Sequence, residues 1–426
     1  MTAEFQVQGQ DVSVLAARFG TPLYLYDGDA LRQRITDVRE LLHPRLEVFY
    51  SLKANPNVSI CALLHAHGAK AEVSSLTELR TARRAGVRPE DIIFLGPGKS
   101  RAELAECIES GVHAVICESL SELKLIDEVA GELGRTAPVA LRVNPSFEVK
   151  GSGLTMGGKP RQFGMDEAQL LAEPPLGKDL AHTRLMGVQV YMGTRILSGS
   201  AVVENTRQIL ALALRMAEHH GFELELVDIG GGLGVAYFPG EQDLDLAELA
   251  EGLNPVLDAF ARAHPATRLV MELGRYLVAE SGTYVARVRY TKTSLGENFA
   301  VVDGGTNHHM AAVGIGSFVK RNFPIRLLNR WDEEPTESWN VTGPLCTPND
   351  TLGKKASLPP VREGDLVGVL RSGAYGPSAS PVLFLSHGHP AEVLVLDGQA
   401  HVVREPDECE DLMRKQHLHP FAGAAG

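Results

Sequence analysis

The sequence predicts an α/β fold, a (β/α)8 barrel joined to a second, all-β barrel-like domain. Three observations carry this. Eight short apolar runs alternate with stretches of helical periodicity up to about residue 272. Polar and glycine residues gather at the C-terminal ends of many of those runs, where barrels keep their chemistry. After about Ser281 the texture changes to short period-two runs separated by Gly, Pro and Asp turns. The predicted boundaries are residues 27–282 for the barrel and 283–426 for the β domain, with residues 1–26 contributing a strand to the latter. A doubly wound open sheet is the competing arrangement, and the count of eight favours the barrel.

Taken in order, Thr21 to Tyr26 reads as a first strand, broken by Asp27-Gly28-Asp29. A helical pattern follows on Leu31, Ile35, Val38, Leu41 and Leu42. The eight barrel strands are predicted at 47–52, 71–75, 92–95, 114–117, 139–143, 185–191, 224–229 and 269–272. Helical stretches are predicted at 76–85, 102–108, 120–133 and 203–219, and Pro56 can open another helix. Residues 144 to about 164 form the longest irregular stretch, rich in glycine, and read as a mobile barrel loop. In the β domain, Thr283 to Tyr290 alternates with period two, and short runs follow at 299–302, 366–370, 392–396 and 400–403. Residues 415–426 read as a frayed end.

The net charge of −12 argues against a general nucleic-acid or anionic-membrane binder. No uncharged apolar run reaches membrane-spanning length, and Met1 to Phe5 lacks the basic-then-apolar signature of a signal peptide. The five cysteines are scattered without a CxxC pair. That fits a reducing, cytoplasmic setting better than a disulfide framework or a zinc site, so no metal is expected.

Five runs carry candidate chemistry. The first, Phe49 to Asn57, ends an apolar strand on Lys53. An ammonium there is costly to bury and tends to lose its charge or find a partner, and a desolvated amine suits Schiff-base chemistry. A lysine that snorkels from a strand end is the plain alternative. The second run, Val227 to Gly234, places Gly230, Gly231 and Gly232 at a strand end, where backbone N–H groups can meet an anion. It fails the G-x-G-x-x-G spacing, and a tight βα turn is the alternative. Gly96-Pro97-Gly98-Lys99-Ser100 likewise fails the P-loop spacing. The third run, Met271 to Arg275, sets Glu272 and Arg275 around Gly274. Acid and arginine could hold opposite ends of one small ligand, or simply pair with each other. The fourth and fifth runs lie in the β domain: Val341 to Asp350, with Cys346 and Thr347, and Gly373 to Gly376, with Tyr375. A lone cysteine is more often a small buried hydrophobe, and a lone tyrosine between glycines more often packing. Together, a lysine, an acid, a glycine nest, an arginine and a tyrosine are the parts for pyridoxal 5′-phosphate. Lys53 would bond its aldehyde, Glu272 would keep the ring nitrogen protonated, and the nest and Tyr375 would hold the phosphate.

These runs, in this order, resemble the fold-type III pyridoxal-phosphate decarboxylases, the diaminopimelate and ornithine decarboxylase family. The resemblance covers nearly the whole chain. It implies an alanine-racemase-like barrel with a β domain, and a homodimer whose active sites straddle the interface. It places the cofactor lysine on Lys53, the phosphate loop on Gly230, Gly231 and Gly232, and the Glu-x-Gly-Arg motif on Glu272, Gly274 and Arg275. It also implies that Tyr375 binds phosphate and that Cys346, supplied across the dimer, donates a proton.

Three departures bear on the substrate. Where the family has His-x-Gly-Ser, this chain has Tyr191-Met192-Gly193-Thr194. Tyr191 can still stack on the ring, and Thr194 keeps a hydroxyl. The residue after Cys346 is Thr347, not the acid that holds a distal ammonium. The run Leu385 to Pro390 lacks the arginines of the diaminopimelate enzymes. These changes point to a substrate neutral or extended at its far end. The wording around Cys346 and Tyr375 is similar to a subgroup acting on carrier-protein-bound amino acids, such as the glutamyl-carrier-protein decarboxylase of butirosin biosynthesis. The expected partner is therefore an acyl carrier protein, with Lys150, Lys159, Arg161, Lys354 and Lys355 as docking candidates. A free amino acid of the diaminopimelate type, or a protein that binds the cofactor without turnover, are the alternatives.

Overall fold

A computed structural model describes residues 3–147, 154–155, 160–178, 180–313 and 321–419. Much of the predicted 144–164 loop, with Lys150 and Lys159, lies outside the described residues, as does the end of the predicted frayed tail. The chain divides into two compact units, breaking after Asp27 and after Ser281.

The first unit is a closed barrel of eight parallel strands. They are β1 (Leu46–Ser51), β2 (Lys70–Val73), β3 (Ile92–Phe94), β4 (Ala114–Cys117), β5 (Ala137–Asn144), β6 (Thr183–Gln189), β7 (Leu226–Gly231) and β8 (Arg268–Leu273). Closure is direct: Glu272 on β8 pairs in register with Phe49 on β1. That pairing excludes the open-sheet alternative, whose edge strands would stay apart. The helices begin where small polar residues cap them. Ser75 accepts from Glu78 N, Ser119 from Glu122 N, and Ser100 forms a reciprocal capping box with Glu103. The helix foreshadowed by Pro56 starts at Val58, capped by Asn57. The helix Leu246–Ala263 has no counterpart among the predicted stretches, because Pro255 in its middle reads as a breaker. Its Leu249, Leu253, Leu257 and Phe260 recur at helical spacing and are buried.

The barrel interior follows from the two-residue period of a strand. Phe49, Ile116, Ala140, Leu226 and Val270 belong to one apolar cluster. Two residues further along each strand comes a polar side chain: Ser51, Glu118, Arg142, Asp228 and Glu272, all buried. The barrel is thus apolar below and polar at its C-terminal mouth.

The second unit is a β structure of residues 3–27 and 282–419. Its long strand β9 (Gly282–Ser294) pairs with β10 (Glu297–Val302) and with the N-terminal strand Leu23–Asp27. That N-terminal strand pairs in turn with Ala391–Leu396. Leu23, Leu25, Val285, Val393 and Val395 form its core, so residues from both ends of the chain share one hydrophobic centre.

Candidate active site

Lys53 leaves β1 on a single 3-10 turn, Leu52–Ala54. Its Nζ lies 2.9 Å from Glu72 Oε2 on the neighbouring strand β2. It also lies 5.8 Å from the ring centroid of Tyr191, just beyond β6. The lysine has found a partner, as its position demanded. Glu72 is 1 % exposed and takes a second hydrogen bond from Ser74 Oγ, 2.9 Å. Burial alone would raise its carboxyl. The Lys53 charge and hydrogen bonds from Ser51, Lys53 and Ser74 outweigh that and hold it below the ordinary carboxylate range.

The three glycines at the end of β7 are demanded by close backbone passage. Gly230 and Gly232 have φ of 66° and 88°, the left-handed region. A Cβ at Gly230 would lie 2.5 Å from Val190 O. A Cβ at Gly231 would strike the carbonyl of Glu272, and one at Gly232 the carbonyl of Gly193, next to Thr194. The loop therefore threads between the ends of β6 and β8. One expected anion contact is already committed, since Gly230 N donates to Asp228 Oδ1 at 2.8 Å. The nest is smaller than three glycines suggest.

Glu272 is buried and accepts from Gln189 Nε2 at 2.8 Å. Burial, then the Glu72 charge, raise its carboxyl, while Lys53, Asp228 and Arg142 pull it down. Gly274 packs against Ser51 and Ala54 on either side of Lys53; a Cβ there would sit 3.0 Å from Ala54 Cβ. Arg275 opens the next helix and donates to Tyr237 OH, 3.1 Å. Glu272 and Arg275 thus serve different neighbourhoods. Lys99 of the rejected P-loop run is buried against Gly96 O, Ile116 O and Glu122, a structural role. Sequence reasoning passed over Glu72, Glu118, Arg142, Gln189 and Asp228. The available signal was a charged or amide residue inside an otherwise apolar strand, as in Ala69-Lys70-Ala71-Glu72-Val73.

Cys346, Thr347 and Tyr375 lie on the β unit. Cys346 is exposed. Its turn is pinned by buried Asp350, which accepts from Leu345 N (2.7 Å), Thr306 N (2.7 Å) and Thr306 Oγ1 (3.1 Å). Thr347 Oγ1 accepts from Asn349 N within the turn, 3.3 Å. Tyr375 has a φ of 56°, held between Gly373 and Gly376, where Gly376 runs under the Tyr24 ring.

Residues 29–279 match the family model for the pyridoxal binding domain of pyridoxal-dependent decarboxylases. The chain belongs to the pyridoxal-dependent decarboxylases. Like other members it is a carboxy-lyase that uses pyridoxal phosphate. It is similar to the L-glutamyl-[BtrI acyl-carrier protein] decarboxylase of Niallia circulans, 40% identical over 95% of this chain and 96% of that one. It is also similar to the diaminopimelate decarboxylase of Helicobacter pylori strain J99, 30% identical over 93% and 95%. Among solved structures, the Helicobacter pylori diaminopimelate decarboxylase complexed with L-lysine superposes with a TM-score of 0.85, at 30% identity, covering 95% of this chain and 98% of that one. The M. jannaschii enzyme with L-lysine gives 0.87 at 28% identity, covering 98% and 96%. These decarboxylases share the barrel and β-domain architecture.

The barrel mouth fits the cofactor on its own chemistry. It offers one amine at a strand end, a glycine loop with no room for side chains, and a buried carboxyl whose raised proton affinity calls for a cationic partner. No helix among the described residues is long and apolar enough to cross a membrane.

Proposed function

We propose that this decarboxylase removes the α-carboxylate of an acidic amino acid, of glutamyl or methylaspartyl type, tethered as a thioester to an acyl carrier protein in natural-product biosynthesis. The observation that carries the reading is the 40% identity to the carrier-protein glutamyl enzyme over nearly the full length of both chains. Thr347 after Cys346, with no acid there for a distal ammonium, agrees with it.

When bound, pyridoxal phosphate supplies a sink for the electron pair left on the α-carbon as CO2 departs. The chain's own residues do the rest. Lys53 Nζ would bond the aldehyde, and Glu72 holds that amine at the end of β1. Glu272 would pair with the ring nitrogen and keep its proton in place. Tyr191 would stack on the ring, Thr194, Gly230, Gly231, Gly232, Gly274 and Arg275 would hold ring and phosphate, and Tyr375 is proposed as a further phosphate ligand. Cys346 Sγ, supplied across a homodimer, or Lys53 itself would return a proton to the α-carbon, and Thr347 would meet the substrate's far end. Arg161, Lys354 and Lys355 remain candidates for the carrier dock; Lys355 also lies 3.5 Å from Glu297.

A second reading, decarboxylation of free diaminopimelate, is favoured by the relatives at 30% identity. CO2 release measured with free diaminopimelate, free ornithine and a glutamyl- or aspartyl-loaded carrier separates the two. Turnover of the loaded carrier alone is the expected result; turnover of free diaminopimelate alone would overturn the proposal. No CO2 from any of the three would overturn both readings of the substrate.

A further inference from the structure

Four acids reach the polar layer of the barrel: Glu72 from β2, Glu118 just after β4, Asp228 from β7 and Glu272 from β8. Glu72 has Lys53 at 2.9 Å. Arg142, the other cation of the layer, is bonded to Glu118 at 2.9 Å. Asp228 and Glu272 are left to each other.

Their surroundings are short of donors. Asp228 is fully buried, and its Oδ1 takes the Gly230 N–H. Its Oδ2 is buried and meets no donor. Gln189, in register with Asp228 on β6, gives its Nε2 to Glu272, and its own Oε1 is likewise buried without a donor. Two buried carboxylates on neighbouring strands, hydrogen-bonded only by amides, cannot both stay ionised. One proton on Asp228 Oδ2 supplies the missing donor.

We infer that Asp228 is kept as a neutral acid that donates its proton to Glu272, and that this bond, with Gln189, sets the orientation in which Glu272 meets the cofactor ring. The inference rests on the proposed placement of Glu272 at the ring nitrogen. Asp228 is thereby a positioning residue. Electrostatics agree: burial and the Glu272 charge push the Asp228 carboxyl well above the ordinary range, with Glu72 adding to the push and the Gly230 N–H opposing it. Glu272, nearer to Lys53 and Arg142 and bonded by Asp228, is raised less decisively. The proton is placed on Asp228 because its Oδ2 is the oxygen that no donor reaches, and the ring N–H would then find a carboxylate, not a second acid.

The test compares full-length wild-type enzyme with Asp228→Asn, whose amide N–H can stand in for the acid's O–H, and with Asp228→Leu. In the infrared difference spectrum of the cofactor-loaded enzyme at neutral pH, wild type should show the carbonyl band of a protonated carboxyl that D228N lacks. D228N should hold the cofactor within about threefold of wild type, and D228L at least tenfold more weakly. No such band, or a band that survives in D228N, overturns the inference. So does a D228N protein that binds as weakly as D228L. Because D228L can fail to fold, the band and D228N carry the test without it. Glu272→Gln separates the two layers of the argument. If E272Q binds cofactor as tightly as wild type while the Asp228 band is present in wild type, the ring placement of Glu272 fails and the shared proton stands.

Discussion

Lys53 Nζ and Glu72 Oε2 sit 2.9 Å apart across β1 and β2, with the amine half open to solvent and the carboxylate sealed beneath it. The pair fixes the amine at the barrel mouth before any ligand arrives. A lysine there is held by charge from below and not by apolar walls, so its reach towards the mouth is set by the carboxylate.

Glu72→Gln removes that charge and keeps the side chain's size. Because the amine end is solvated, the pair is screened, and the expected loss of stability is about 1 kcal/mol near neutral pH. The pH dependence gives the sharper readout. Glu72 has a lowered carboxyl, so its contribution is present above its ordinary value of 4.5 and is lost as pH falls through the lowered one. Melting temperatures from about pH 6 downwards should fall less steeply below pH 4.5 in E72Q than in wild type. Parallel curves would show that Glu72 is not the group involved.

Lys53→Ala should abolish both turnover and the yellow absorbance that develops on incubation with pyridoxal phosphate. A visible spectrum suffices. Retained absorbance would assign the aldehyde to another amine.

Gly231→Ala places a methyl group against the Glu272 carbonyl, where β7 and β8 pair. The strand ends must part. The expected cost is about 2 kcal/mol in denaturant unfolding, with weakened cofactor binding. An unchanged midpoint would mean the loop has slack that its geometry does not show.

Asp350→Ala strips three hydrogen bonds from the turn that carries Cys346. The buried Leu345 and Thr306 N–H groups lose their acceptor, and the cost should be about 3 kcal/mol. Turnover should fall with the cofactor spectrum intact. Asp350→Asn, which keeps one acceptor oxygen, should fall between.

His309 is buried among Tyr24, Tyr284 and Phe323, bonded to Ser372 Oγ at 2.8 Å. Burial pushes its ring down to about 3. The folded protein therefore binds fewer protons than the unfolded chain between about pH 6.5 and 3, and stability is lost on acidification across that window. His309→Gln, which can keep the Ser372 bond without titrating, should remove up to about 5 kcal/mol of that loss. Urea titrations at several pH values measure it. His308 and His113, each lowered to about 4 by burial, keep some acid sensitivity in the variant.

Much of this was legible in the sequence. Eight apolar runs, a lysine closing the first of them, three glycines closing the seventh and an acid closing the eighth are local facts. Each is written in a strand's composition and in the residues that stop it. The helix Leu246–Ala263 was hidden because one proline outweighs a periodic pattern in a local reading, although the other 17 of its 18 residues carry the helix past it.

The order of chemistry along the chain was therefore fixed by sequence alone: amine, glycine loop, acid, then the cysteine turn. Only the folded barrel decided who meets whom. Glu72 lies 19 residues from Lys53, and Gln189 lies 83 residues from Glu272. Alternation along a strand shows that two residues share a face. It cannot show which face turns inward or which level a neighbour reaches, because closure and stagger between distant strands set those. That is why the buried carboxyls Asp228 and Glu272, and the proton we infer they share, emerge only from the three-dimensional arrangement.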